Sequence, residues 1–195
     1  MAMRLSLTNI FQVISVLSPL IITFFLIMNS IFYSNIKALI FIIGAIISLF
    51  INVLLMNIFQ VPVYNDQSPV CKLIEFPYFD NYFSKYNTPS MNSMFIAFTF
   101  NYIYLPMVSE KRMNYAFFAF LFILFGVDAI TQSNNRCANG AGILLGGIIG
   151  LLLGYAWYTI VSTTNKKLVY TTLSDEKPLT YKTRKIKQEK VFGFM

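Results

Sequence analysis

The chain has no histidine. That absence removes the commonest general base, the commonest metal ligand and the phosphohistidine nucleophile together. Charge is scarce as well: 12% of the 195 residues are Asp, Glu, Lys or Arg, while 56% are hydrophobic. Soluble domains carry about 25% charged residues, so most of this chain belongs in lipid. The net charge of +7 is not spread over a fold. Lys166, Lys167, Lys177, Lys182, Arg184, Lys185, Lys187 and Lys190 follow the last apolar run. A basic tail beside a membrane span is a topology signal and a contact for anionic lipid, rather than a nucleic-acid site. Nothing in the composition calls for a metal or a cofactor.

Long apolar runs are what the chain does have. The first covers about 10–33 and is interrupted by Gln12, Ser15, Ser18, Pro19, Thr23 and Asn29. It exceeds the roughly 20 residues a bilayer crossing needs. It lacks the short core and small-residue cleavage site of a secretory signal, so it reads as a retained first span. A tight turn leads to a second run, 38–59, which makes the first two spans an antiparallel hairpin. Asn52 and Asn57 in its second half should face other helices, because an unpaired amide in hydrocarbon is costly.

Residues 60–89 form a long polar segment broken by Pro62, Pro69 and Pro77 and rich in aromatics. It suits a loop lying at headgroup level. Three further runs follow at about 90–108, 115–130 and 140–160. The expected fold is therefore all-α, a polytopic membrane helix bundle of five spans over residues 1–164. Residues 165–195 make a basic tail, mostly disordered. Five spans put the termini on opposite sides. Lys37, the turn Glu110-Lys111-Arg112 and the tail share one face, which the positive-inside rule makes cytoplasmic. The N-terminus and the loops 60–89 and 131–139 fall on the other face, of the cell surface or of an endomembrane or viral membrane. Cys71 and Cys137 lie one in each of those loops. A disulfide between them is favoured over two free thiols, because that face is oxidising.

Two features mark where function would sit. The stretch Pro89-Ser90-Met91-Asn92-Ser93 opens the third span, and Arg136-Cys137-Ala138-Asn139 opens the fifth. Helix N-termini carry partial positive charge and unpaired N–H groups, so two of them on one face favour an anion. In the fifth span Gly142, Gly146, Gly150 and Gly154 recur every four residues and form one smooth stripe. The stripe permits close helix approach, within the chain or to a second chain in a homo- or hetero-oligomer. Asp128, near the end of the fourth run, reads as an ion site or as a salt-bridge partner of Arg136 across the short loop.

The arrangement resembles the type-2 phosphatidic acid phosphatase superfamily of membrane lipid phosphatases. Pro89-Ser90-Met91-Asn92-Ser93 is similar to that family's second motif, with Asn92 at the place of a histidine. Asn139 and the glycine-rich run after it resemble the third motif, with Asn139 at the nucleophilic histidine place and Ile143 at that of an orienting Asp. Lys72 echoes the first motif without its Arg-Pro. The resemblance implies a lipid phosphatase core over about 38–160. The departures imply lost chemistry, since an asparagine has no basic nitrogen and cannot attack phosphorus or protonate a leaving group. A pseudoenzyme is the expectation. Lys72, Ser90, Asn92, Ser93, Arg136 and Asn139 remain as candidates to hold a phosphate or phospholipid headgroup. The bland alternative is that they satisfy one another and water. Two rival functions stand beside it: an active lipid or polyprenyl phosphate phosphatase with atypical residues, and a small transporter or channel using Asp128, Asn101 and Asn52.

Overall fold

The computed structural model describes residues 7–33, 35–72 and 85–171. Five long helices make up these residues: α1 (Leu7–Phe32), α2 (Lys37–Phe59), α3 (Met91–Ser109), α4 (Tyr115–Asn134) and α5 (Gly140–Thr164). Short 3-10 turns lie at Pro69–Lys72 and Lys166–Leu168. The described residues contain no strand; Pro62 and Tyr86 form a single isolated bridge. Four helices are long and apolar enough to cross a membrane: Ile10–Phe32, Lys37–Phe59, Tyr115–Asn134 and Gly140–Thr164. Such a chain is compatible with a multi-pass membrane protein.

The helices begin and end where local chemistry directs. Ser90, Asn114 and Asn139 cap α3, α4 and α5, each accepting an N–H from its own first turn. These short polar side chains take up donors that the helix cannot pair itself. At the α1–α2 turn Asn35 Oδ1 accepts from Lys37 N at 3.1 Å, and Ser30 Oγ donates to Asn35. Gln60 closes α2 in the left-handed region, its N–H returning to Met56 O. Pro19 sits inside α1 and has no N–H for the Ser15 carbonyl one turn back.

Helix α3 is the centre of the bundle. Residues 93–99 are buried without a break, as are Tyr102, Ile103, Pro106 and Met107. A helix buried on every side must be surrounded by protein. Phe41 of α2 meets Phe95, Phe98 and Tyr102 with ring centroids about 6 Å apart, within the favourable range for aromatic pairs. Val169 and Tyr170, just past α5, are buried, and Tyr170 belongs to the core. The outward faces are apolar: Phe24, Phe32, Phe50, Phe122, Leu144 and Leu152 are each more than 60% exposed. So continuous an apolar exterior is the mark of a surface made for lipid.

The closest packing is between α3 and α5. A Cβ on Gly146 or Gly150 would fall on the Ser90 or Met94 carbonyl, and one on Gly154 would lie 2.7 Å from the Phe98 carbonyl. Both helices step by four residues in the same direction, so they run parallel, stripe against stripe. The face of Gly146, Gly150 and Gly154 is therefore packed against α3 of the same chain.

The two polar loops meet at one end of the bundle. Cys71 and Cys137 are joined in a disulfide, with Cα atoms 5.4 Å apart. Ser68 N donates to Asn135 O at 3.0 Å, and Asp66 pairs with Arg136. The aromatic residues of 73–84 and the basic patch Lys182–Lys190 lie outside the described residues, as does the expected disorder of the tail beyond Thr171.

Candidate functional site

The start of α3 is tied down from three directions. Asn52 Nδ2 of α2 donates to Pro89 O at 3.2 Å. Ser90 N donates to Gly142 O at 2.9 Å, joining the first turns of α3 and α5. Ser90 Oγ donates to Gln132 Oε1 of α4 at 2.6 Å. The peptide Thr88–Pro89 is cis.

Asp128 is the centre of the polar cluster and has no solvent exposure. Its Oδ1 accepts from Ser15 Oγ of α1 at 2.9 Å and from Asn92 Nδ2 at 3.4 Å. Its Oδ2 accepts from Ser93 Oγ at 3.2 Å and from Gln132 Nε2. Gln132 Nε2 also donates to Ser93 Oγ at 3.1 Å. Three helices thus direct four donors at one carboxylate, two on each oxygen. All four are neutral. Asn92 and Ser93 are the second and third residues of α3, so the partial positive charge of that helix end adds to their effect.

The six candidate headgroup residues divide into separate environments. Ser90, Asn92 and Ser93 belong to the Asp128 cluster. Arg136, in the left-handed region at φ 54°, points outward to Asp66, and both side chains are about 60% exposed. It does not pair with Asp128. Asn139 is occupied as the α5 cap: its Oδ1 accepts from Gly142 N and from Thr88 Oγ1. Lys72 closes the Pro69–Lys72 turn, and its side chain lies outside the described residues. Asn92, Arg136 and Asn139 therefore have three different partners.

Two cluster members, Ser15 and Gln132, were not among the candidates. The apolar run stops at Ile130, which put Gln132 in a loop; α4 continues to Asn134, so Gln132 stands one turn after Asp128 on the same face. That i, i+4 spacing of an acid and an amide was the available signal. Ser15 had only a weak one, a hydroxyl inside an apolar run with Ser18 one turn on. The amides proposed for a transport path are bonded to backbone: Asn101 Nδ2 donates to Leu151 O at 2.7 Å and Asn52 to Pro89 O. Asn57, expected to face another helix, is instead exposed and donates to Val53 O one turn back in its own helix.

Chemically, the cluster can hold an anion and cannot supply a base other than Asp128 itself. Comparison with protein-family models, with curated proteins and with solved structures finds no match to this chain.

Proposed function

We propose that the chain is a non-catalytic, multi-pass membrane protein on the plan of the lipid phosphatase bundle, organising its membrane through its helical body and basic tail. The observation that carries this reading is the use made of Ser90, Asn92 and Ser93. The donors that resemble a phosphate-binding motif are spent on Asp128 and Gln132, and Asn92 and Asn139 cannot perform nucleophilic or acid–base steps. On this reading α3 is the remaining span. Its 19 residues extend about 28 Å, close to the roughly 30 Å hydrocarbon thickness. Its polar residues are tolerated because neighbouring helices, not lipid, surround it. The N-terminus and the disulfide-linked loops lie on the non-cytoplasmic face, and the tail carries Lys182, Arg184, Lys185 and Lys187 to anionic headgroups on the other.

Purified protein tested against lipid phosphates should release no phosphate above a protein-free blank. Native mass spectrometry should find anionic phospholipid retained by the wild type. Replacing Lys182, Arg184, Lys185 and Lys187 by Gln should remove most of it, and Lys72→Ala with Arg136→Ala should leave it unchanged. Phosphate release abolished by Ser90→Ala would contradict the proposal.

A further inference from the structure

A carboxylate buried among neutral donors is the least expected feature of a chain with so few charges. An isolated ion in an apolar interior is very costly. Here four neutral donors reach the carboxyl group, two per oxygen. Those donors come from α1, α3 and α4, so their convergence is a property of the tertiary fold and not of one turn. Gln132 is itself held by Ser90, which fixes its amide in the donating orientation. A cluster built this way is organised around negative charge. It matches what an oxyanion with two equivalent oxygens requires.

We infer that Ser15, Asn92, Ser93 and Gln132 form an oxyanion-binding site whose occupant is the chain's own Asp128 carboxylate. Emptied of that side chain, the site takes a free small carboxylate. The inference rests on the non-catalytic reading of the same residues. A groove of about 380 Å³ lies between α1 and α4, lined by Phe11, Gln12, Val127, Ile130, Thr131 and Asn135 among others. Val127, Thr131 and Gln12 are chain or helix-turn neighbours of Asp128, Gln132 and Ser15, so the groove lies on the same stretches of α1 and α4 as the cluster.

Formate is the probe, because it reproduces the missing carboxylate and fits the space a glycine leaves. Full-length Asp128→Gly in detergent should melt below the wild type in chloride. Formate should raise its midpoint saturably, by roughly 2–8 °C, with no saturable rise for the wild type or for Asp128→Asn, whose amide fills the space. Equal shifts in all three proteins, or none in Asp128→Gly, would overturn the inference. If that variant yields no folded protein in either salt, infrared spectra of the wild type decide. Ionised carboxylate bands alone at neutral pH support a resident anion, and a persistent protonated-acid band overturns it. Phosphate release by the wild type would overturn this inference and the non-catalytic reading together. Absent rescue without phosphate release would overturn this inference alone.

Discussion

Single residues in this chain are defined by their partners more than by their type. Arg136 and Asp128 stand eight positions apart and have opposite charge, yet Arg136 pairs with Asp66 in the long loop, and Asp128 turns to hydroxyls and amides. Spacing along the chain does not contain that information, because the choice is made by which helix faces which. Ser90 and Asn139, read from the sequence as phosphate-binding candidates, precede apolar runs and cap them as such residues do. Tyr170 shows the cost of burial at this scale. Burial first, and the neighbouring Tyr102 second, push its phenol above the ordinary range. The folded chain then keeps a proton that the unfolded chain releases near pH 10. Stability is complete below that pH and falls as pH rises beyond it. The Tyr170 hydroxyl also has no partner among the described residues. Tyr170→Phe should therefore be within about 1 kcal/mol of neutral or stabilising at neutral pH, and should lessen the alkaline loss. Thermal midpoints across the alkaline range check both.

At the scale of helices, hydropathy marks the lipid-facing stretch and not the helix. The fourth run ends at Ile130, while α4 extends to Asn134, because its last turn is received by loop and helix partners instead of lipid. For the same reason α3 is absent from the four apolar spans although it is the most enclosed helix: a helix with protein on all sides can carry Asn, Ser and Thr. The glycine stripe was legible as a packing face; its partner was not, since a stripe accepts α3 or a second chain equally well. The register now gives a test. Gly150→Ala would press a Cβ onto the Met94 carbonyl and within 2.9 Å of Ala97 Cβ, and should cost about 1–3 kcal/mol. Gly126→Ala, where a Cβ meets nothing within 4 Å, should be neutral or stabilise by up to about 1 kcal/mol. Thermal unfolding in detergent that ranks the two the other way would show that α3 and α5 are not packed as described.

For the whole molecule, the legible part was the all-helical class and the four long apolar helices. The Cys71–Cys137 link between the two polar loops was legible too; the Ser68–Asn135 bond and the Asp66–Arg136 pair that lie beside it were not. The Cys71–Cys137 disulfide closes a segment of 66 residues in sequence separation, so it should contribute about 2–4 kcal/mol by restricting the unfolded chain. Cys71→Ser should lower the thermal midpoint accordingly, and reduction should lower the wild type to the same level. The exposed Asp66–Arg136 pair at the same end should contribute at most about 1 kcal/mol. Single cysteines at Ser133 and Ser109, introduced into a chain lacking Cys71 and Cys137, should react with an impermeant thiol reagent from opposite sides of a sealed membrane, Ser133→Cys from the non-cytoplasmic one. Labelling of both from one side would contradict the proposed crossings.

The central claim is that the polar residues opening α3 serve Asp128 and the bundle. A double-mutant cycle on thermal or denaturant unfolding, built from Ser93→Ala, Asp128→Ala and the pair, tests it most directly. Each single change leaves a buried donor or acceptor unpaired and should cost about 1–3 kcal/mol. The double change should cost less than the sum by about 0.5–3 kcal/mol. Additive costs, with no coupling between the two positions, would contradict the account.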